Sequence, residues 1–166
     1  MTHKTVPNVI ELDPIAWKIL ESLQQNGRMS FAELGRKVGL STPAVAERVR
    51  RLEEAEVITG YHAFLDMTKL GVPIRILMRL TIPGGDQQIS RTVAVLKDLP
   101  EISRCHRITG AESFVVEADV VSVRHLEALI DTLSALGATS TSTVLSSPVE
   151  RREYNARQIE SFAKYL

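Results

Sequence analysis

The sequence predicts an α+β protein in two parts, a helical N-terminal part and a second part that alternates strands and helices. Between residues 29 and 54 the apolar residues recur with a helical period that is broken once, at Gly39. After residues 71–73 the pattern changes to short strand-like runs separated by two helical runs. The fold class is therefore α+β, with a winged helix-turn-helix domain followed by a ferredoxin-like βαββαβ domain.

Length and composition agree with two compact modules. The chain has 166 residues, of which 44% are hydrophobic, and its 20 basic residues balance its 20 acidic ones. Balanced charge argues against a general polyanion binder, so any nucleic-acid contact must come from an arranged patch. A single cysteine excludes an internal disulfide, and no apolar run resembles a signal peptide or reaches the length of a membrane span. We therefore expect a cytoplasmic protein that does not contact membranes.

Local signals place the helices of the first part. Residues 1–11 show no periodicity and are predicted to form an N-terminal arm. A first helix begins at Asp13, followed by a proline in the first turn. The helix that follows residue 30 ends at Gly39, because glycine accepts the left-handed conformation of a helix end. Ser41 or Thr42 then caps a further helix, with Pro43 in its first turn.

The exposed face of this last helix is basic and begins with small residues. Residues 28–51 contain six basic and two acidic side chains, a local net charge of +4. Small residues allow close approach to a surface, and arginines can reach phosphates or guanine edges. A solvated charged face on a two-helix hairpin is the alternative, but the short turn, the small helix start and the basic face coincide. The predicted DNA-binding residues are Arg28, Ser41, Thr42, Pro43, Ala44, Glu47, Arg48 and Arg51.

The remaining chain is divided by its changing periodicity. Residues 12–58 form the helix-turn-helix domain, and residues 59–73 a β-hairpin and linker. Residues 57–65 alternate around Gly60, which suits a short β-hairpin or an extended wing. Residues 74–147 form the ferredoxin-like domain, with strands at 74–82, 102–108, 113–120 and 139–146 and helices at 87–99 and 123–136. Residues 148–166 form a C-terminal helical tail, expected to pack on its own or a neighbouring subunit, with a disordered tail as the alternative.

The ferredoxin-like sheet has one face without helices, and that face is not uniformly polar. The strand at 74–82 places Leu77 beside Arg75 and Arg79 there. A second copy of the sheet is the expected cover, so the sequence predicts at least a homodimer.

No catalytic or metal-binding motif is present in the sequence. It lacks a glycine-rich phosphate loop, a CxxC pair, a nucleophile elbow and an HExxH helix. Cys105 and His106 are adjacent in a predicted strand and point to opposite faces, so they cannot chelate a metal together. We expect no catalytic residues, no metal, no cofactor and no enzymatic activity.

A set of residues spread over the first 71 positions matches the pattern of a known family. These residues are Leu12, Asp13, Ile19, Leu20, Asn26, Gly27, Arg28, Leu34, Gly39, Leu40, Ser41, Val45, Arg48, Val49, Arg51, Leu52, Glu53, Val57, Ile58, Leu70 and Gly71. Through them the sequence resembles the Lrp/AsnC, or feast/famine, family of transcription regulators, strongly in the first half and by pattern in the second. Ala16 and Glu56 depart from the family pattern, at sites outside the exposed basic face.

The resemblance implies a ligand-sensing and oligomerisation role for the second domain, through sheet-mediated dimers that assemble further, with an octamer expected. It also implies an amino-acid pocket at the turn after the second strand, where the family carries a Gly-x-x-Asp motif. Gly110 matches, whereas Ser113 stands where aspartate is common, and Glu112 is a possible substitute. An ordinary hairpin turn without an effector is the alternative. The predicted effector-binding residues are Thr109, Gly110, Ala111, Glu112, Ser113, Thr141 and Thr143.

We therefore expect a sequence-specific regulator that binds double-stranded DNA and responds to an amino acid or related small metabolite. One alternative is an architectural protein that wraps DNA with weak sequence preference. Another is a small-molecule-binding protein or enzyme built on the ferredoxin-like half.

Overall fold

The computed structural model describes residues 10–165, which divide into two compact units. The first unit comprises the N-terminal part as far as Ala63 together with the chain from Val149 onward, and the second is Phe64–Pro148. Residues 1–9 of the predicted N-terminal arm lie outside the described residues.

The N-terminal part of the first unit contains the three predicted helices, α1 (Pro14–Gln25), α2 (Phe31–Val38) and α3 (Thr42–Glu54). The Ser30 hydroxyl accepts a hydrogen bond from the Glu33 amide, and the Glu33 carboxylate accepts one from the Ser30 amide, so a capping box starts α2. Gly39 ends α2 in the left-handed region, with a φ of 75°. The buried core consists of Ala16, Ile19, Leu20, Leu34, Val45, Val49 and Leu52.

The predicted β-hairpin at residues 57–65 is wrong, because no strand forms between residues 57 and 73, whereas the alternative of an extended wing is not contradicted. The chain leaves α3 through Glu56, whose φ is 54°, and the amides of Val57 and Ile58 both donate to the carbonyl of Leu52. Both side chains pack against the helical core. Val57 and Ile58 therefore bury apolar surface against the helices and not in a pair of strands. The linker contains a short 3-10 helix, Met67–Leu70.

The second unit has the predicted βαββαβ order. Its elements are β1 (Ile74–Thr81), α4 (Asp86–Asp98), β2 (Ile102–Arg107), β3 (Phe114–Val120), α5 (Val123–Ser134) and β4 (Ala138–Thr143). The strands form one antiparallel sheet in the order β2-β3-β1-β4. The connections β1-α4-β2 and β3-α5-β4 interlock in this order, which confirms the ferredoxin-like split unit.

Alternation along the strands sorts residues between the two faces of this sheet. On one face, Ile76, Met78 and Leu80 of β1 are fully buried in a core that includes residues of α4 and α5. On the other face, Arg75 Nε donates to Asp119 Oδ1 at 3.0 Å across the β1–β3 pair. The helix-free face thus carries both charged and apolar side chains, as the sequence predicted.

The C-terminal helix is shorter than predicted. Helix α6 covers Ala156–Phe162 and is followed by a 3-10 turn, Ala163–Tyr165. The Asn155 and Gln158 side chains each accept a hydrogen bond from the other's amide, at 2.9 and 3.0 Å. This reciprocal cap fixes the helix start, because the chain before a cap is not helical.

Candidate nucleic-acid interface and effector turn

The first turn of α3 presents small side chains to solvent. Ser41 is the N-cap, and its hydroxyl accepts from the Ala44 amide at 3.4 Å. Thr42 and Pro43 are exposed, and Ala44 is half-buried. Predicted residues 41–44 therefore form a continuous surface at the start of the helix, with no long side chain to hold a partner away.

Arg48 is held by the N-terminal end of α1 rather than standing free. Its Nη1 donates to Asp13 Oδ2 at 2.7 Å, while Asp13 Oδ1 accepts from the Ala16 amide at 2.7 Å. The hydrogen bond from Ala16 and the one from Arg48 both lower the pKa of Asp13. One carboxylate therefore caps α1 and anchors an arginine of α3.

Glu47 lies between two arginines on the exposed side of α3. Its carboxylate accepts from Arg50 through Nε at 2.9 Å and Nη2 at 2.7 Å, and from Arg51 Nε at 2.9 Å. These bonds, that of Arg50 first, lower the pKa of Glu47 to about 2. Glu47 is therefore a carboxylate at any physiological pH, and the positive charge of this face is partly balanced within the helix.

Arg28 lies apart from this cluster, in the turn between α1 and α2. It is exposed, and its amide donates to the Asn26 side chain at 3.0 Å. Within residues 10–165 its guanidinium forms no ion pair, so it remains available to a phosphate.

The predicted effector turn joins β2 to β3, and two hydrogen bonds of Ser113 connect it to the end of β1. The Ser113 amide donates to the Leu80 carbonyl at 2.7 Å, and its hydroxyl accepts from the Ile82 amide at 3.1 Å. Gly110 has a φ of 120°, a conformation that favours glycine. Thr109, Gly110 and Ala111 are exposed, whereas Glu112 and Ser113 are half-buried.

The two threonines of the predicted effector site lie on β4, which is separated from β3 by β1. Thr141 is opposite Met78, and Thr143 is opposite Ile76, farther from the turn that is tied to Leu80 and Ile82. Residues 109–113 therefore lie together in one turn, and Thr141 lies nearer to this turn than Thr143 does.

Sequence reasoning missed Asp13 as a partner of Arg48 and Gln24 as the contact of the C-terminal segment. Gln24 Nε2 donates to the Tyr154 carbonyl at 2.8 Å, across 130 positions of sequence. Neither contact has a local sequence signal, because both join residues far apart along the chain.

A helix-turn-helix with an exposed, arginine-bearing second helix, followed by a separate antiparallel α/β unit, defines a DNA-binding protein with an accessory domain. The AsnC-type helix-turn-helix domain model matches residues 12–53, and the Lrp/AsnC ligand binding domain model matches residues 76–154. The chain belongs to the Lrp/AsnC family, whose members are transcriptional regulators.

Individual relatives agree with this assignment. The chain is 35% identical to the HTH-type transcriptional regulator LrpC of Bacillus subtilis over 82% of this chain and 94% of that protein. It is 35% identical to the Leucine-responsive regulatory protein of Haemophilus influenzae over 73% of this chain and 74% of that protein.

Solved structures show the same fold. LrpC of B. subtilis superposes with a TM-score of 0.80 at 34% identity, covering 86% of this chain and 100% of that one. A Neisseria meningitidis transcriptional regulator in complex with L-Met gives a TM-score of 0.83 at 24% identity, covering 90% and 99%. Across residues 10–165, none of the helices combines the length and apolar character that a membrane crossing requires.

Proposed function

We propose that α3 enters the major groove of operator DNA and that this chain regulates transcription through that contact. The observation that carries the proposal is the outward surface of α3, where small exposed residues at the helix start are followed by Arg48 and Arg51. Such a surface allows the helix start to approach base edges while arginines contact bases or phosphates. The proposed interface is Arg28, Ser41, Thr42, Pro43, Ala44, Glu47, Arg48 and Arg51.

The second domain is proposed to hold an amino acid or a related metabolite at residues 109–113, together with Thr141 and Thr143. The match to a ligand binding domain over residues 76–154 supports this, as does the name of the leucine-responsive relative. Glu112 is half-buried and forms no ion pair with any described residue, so it is available to an ammonium group. Threonine hydroxyls suit a ligand carboxylate.

The active assembly is proposed to be a homodimer, formed through the helix-free sheet faces, that assembles further to an octamer. The apolar residues on that face support the dimer, because a monomer would leave them in water. We also propose that this chain is a cytoplasmic regulator without enzymatic activity, because its proposed binding partner is DNA and its family members are transcriptional regulators.

The experiment is selection of bound duplexes from a random DNA library by the full chain, followed by affinity measurement at fixed salt. An enriched motif that binds at least 10³-fold more tightly than random duplex supports a sequence-specific regulator. Equal affinity for both duplexes would instead indicate the architectural, DNA-wrapping alternative.

A thermal-shift screen against amino acids and related metabolites tests the second domain. A ligand that binds only the folded protein raises its apparent stability. A ligand that stabilises the chain and also changes its affinity for the selected motif supports effector control. A small molecule bound with no effect on DNA would favour the alternative of a small-molecule-binding protein.

A further inference from the structure

The three arginines of α3 differ in how many of their guanidinium nitrogens are already engaged. Arg50 uses all three, with Nε and Nη2 on Glu47 and Nη1 on Glu54. Arg48 uses Nη1, on Asp13. Arg51 uses only Nε, on Glu47 at 2.9 Å. Within residues 10–165, neither Nη group of Arg51 has a hydrogen-bond partner, and its side chain is 72% exposed.

Glu47 also fixes the direction in which Arg51 points. Residues four apart lie on the same side of a helix, and a long helical side chain leans back toward the helix N-terminus. The bond from Arg51 Nε to Glu47 holds the guanidinium over the preceding turn, toward the small residues of the helix start. In a helix-turn-helix the N-terminal residues of the second helix contact base edges, and the bond to Glu47 turns Arg51 toward that part of α3.

A guanidinium whose Nε is occupied still has its Nη1–Nη2 edge, which carries two parallel N–H donors. The major-groove edge of guanine presents two acceptors, O6 and N7, and arginine pairs with both at once. Adenine presents one acceptor and one donor there, so this edge of an arginine does not match it.

We propose that Arg51 reads a guanine in the operator and that Glu47 is the positioning residue that orients it, an inference that rests on the proposed DNA-binding function. Arg50 takes no part in base recognition, because its nitrogens are engaged by two carboxylates of its own helix. Arg48, tied to α1, is left with Nε and Nη2 for the DNA backbone.

This arrangement predicts that Glu47 has opposite effects on the affinity for DNA in general and on the discrimination between bases. The Glu47 carboxylate is ionised and faces a polyanion, so it weakens binding to every DNA sequence. Its hydrogen bond to Arg51 strengthens binding to the operator alone. Removing Glu47 should therefore raise affinity for random duplex and lower the preference for guanine, a combination that a purely structural role would not produce.

The test uses the full chain, the motif that it selects from random DNA and duplexes in which each motif guanine is replaced in turn. For the parent protein, replacing the guanine read by Arg51 should cost about 5- to 150-fold in affinity, equivalent to about 1 to 3 kcal/mol. In Arg51→Ala that penalty should disappear at one position and remain at the others.

The matched control is Arg50→Ala, which removes the same charge from the neighbouring position. It should weaken binding to all duplexes by one factor and leave every base preference unchanged. Glu47→Ala should lose most of the guanine preference and bind random duplex more tightly. Glu47→Gln should bind random duplex more tightly as well, but keep part of the preference, since its carbonyl still accepts from Arg51 Nε.

Two results would overturn the inference in distinguishable ways. If the parent enriches a motif but Arg51→Ala weakens all duplexes alike, as Arg50→Ala does, then Arg51 contacts phosphate and only this inference fails. If the parent enriches no motif at all, the proposed sequence-specific function fails, and guanine reading fails with it.

Discussion

Gln24 in α1 and Tyr154 near the C-terminus are joined by two reciprocal hydrogen bonds. Gln24 Nε2 donates to the Tyr154 carbonyl at 2.8 Å, and the Tyr154 amide donates to Gln24 Oε1 at 2.9 Å. A carboxamide has an NH2 donor group and a carbonyl acceptor side by side, so it pairs with a backbone unit as a neighbouring strand would. This pair attaches the segment before α6 to the helix-turn-helix unit.

Gln24→Glu should release the C-terminal segment, because a carboxylate cannot donate and would face the Tyr154 carbonyl. The hydrogen bond to the Tyr154 carbonyl is lost and a carboxylate oxygen is placed against that carbonyl, although the Tyr154 amide keeps an acceptor. This change should raise the open population by about tenfold. Trypsin cleavage after Arg152 reports this opening. Lys18→Ala, an exposed position of the same helix, is the control. Equal cleavage rates for Gln24→Glu and the parent would show that other contacts hold the segment.

Ser30→Ala should destabilise the helix-turn-helix unit by about 1 kcal/mol, because it removes the N-cap of α2. Ser30→Asp restores an acceptor for the Glu33 amide and should recover most of this loss. Urea unfolding of each variant measures the difference. A Ser30→Ala protein as stable as the parent would mean that the capping box contributes nothing in solution.

Glu101 should stabilise the folded protein at neutral pH, and this contribution should be lost in acid. His125 Nε2 lies 2.8 Å from Glu101 Oε1, and this hydrogen bond is the main cause of the lowered pKa of Glu101. In the unfolded chain the Glu101 carboxylate takes up a proton near its ordinary pKa of 4.5. In the folded chain it takes up that proton only at lower pH. The contribution is complete above pH 4.5 and is lost as pH falls through the folded pKa.

Glu101→Gln removes this titration, so its stability deficit relative to the parent should be constant above about pH 5 and shrink below pH 4.5. Urea midpoints at several pH values measure the deficit, with the exposed Glu127→Gln on α5 as control. A deficit that stays constant down to pH 3 would contradict the predicted linkage.

Leu77→Lys should dissociate the proposed sheet-mediated dimer while keeping the fold. Leu77 lies on the helix-free face opposite Glu117 in the β1–β3 pair, so lysine gains a favourable cross-strand partner within one chain. Burying that charge between two sheets is unfavourable. Sedimentation of the full chain measures the assembly, with the exposed Val121→Lys as control. Unchanged assembly in both variants would place the interface elsewhere.

Ser113→Asp should increase affinity for ligands with a free ammonium group, by about tenfold or more if the charge-assisted bond is sheltered from water. Aspartate retains an acceptor for the Ile82 amide that now donates to the Ser113 hydroxyl. Glu112→Gln should act in the opposite direction. Calorimetric titration with the amino acid that gives the largest thermal shift measures both. Identical affinities in the parent and both variants would show that the ligand binds elsewhere.

The helix-turn-helix could be predicted residue by residue, because its signals are local. Gly39 ends α2 in the left-handed region, and Ser41 caps α3, as the sequence indicated. The second domain followed from alternation, with Ile76, Met78 and Leu80 buried on one face. The hairpin prediction failed because the apolar side chains of Val57 and Ile58 fit a strand and a helix-packing segment equally well.

The sequence by itself determined the element order, the caps and the family, since each depends on residues that lie close together in the chain. Only the tertiary structure decided which partners the charged and polar side chains take. Arg48 has Asp13 as its partner across 35 positions, and Gln24 has Tyr154 across 130. A long flexible side chain with several donors is compatible with many acceptors, and only the packed backbone selects one of them.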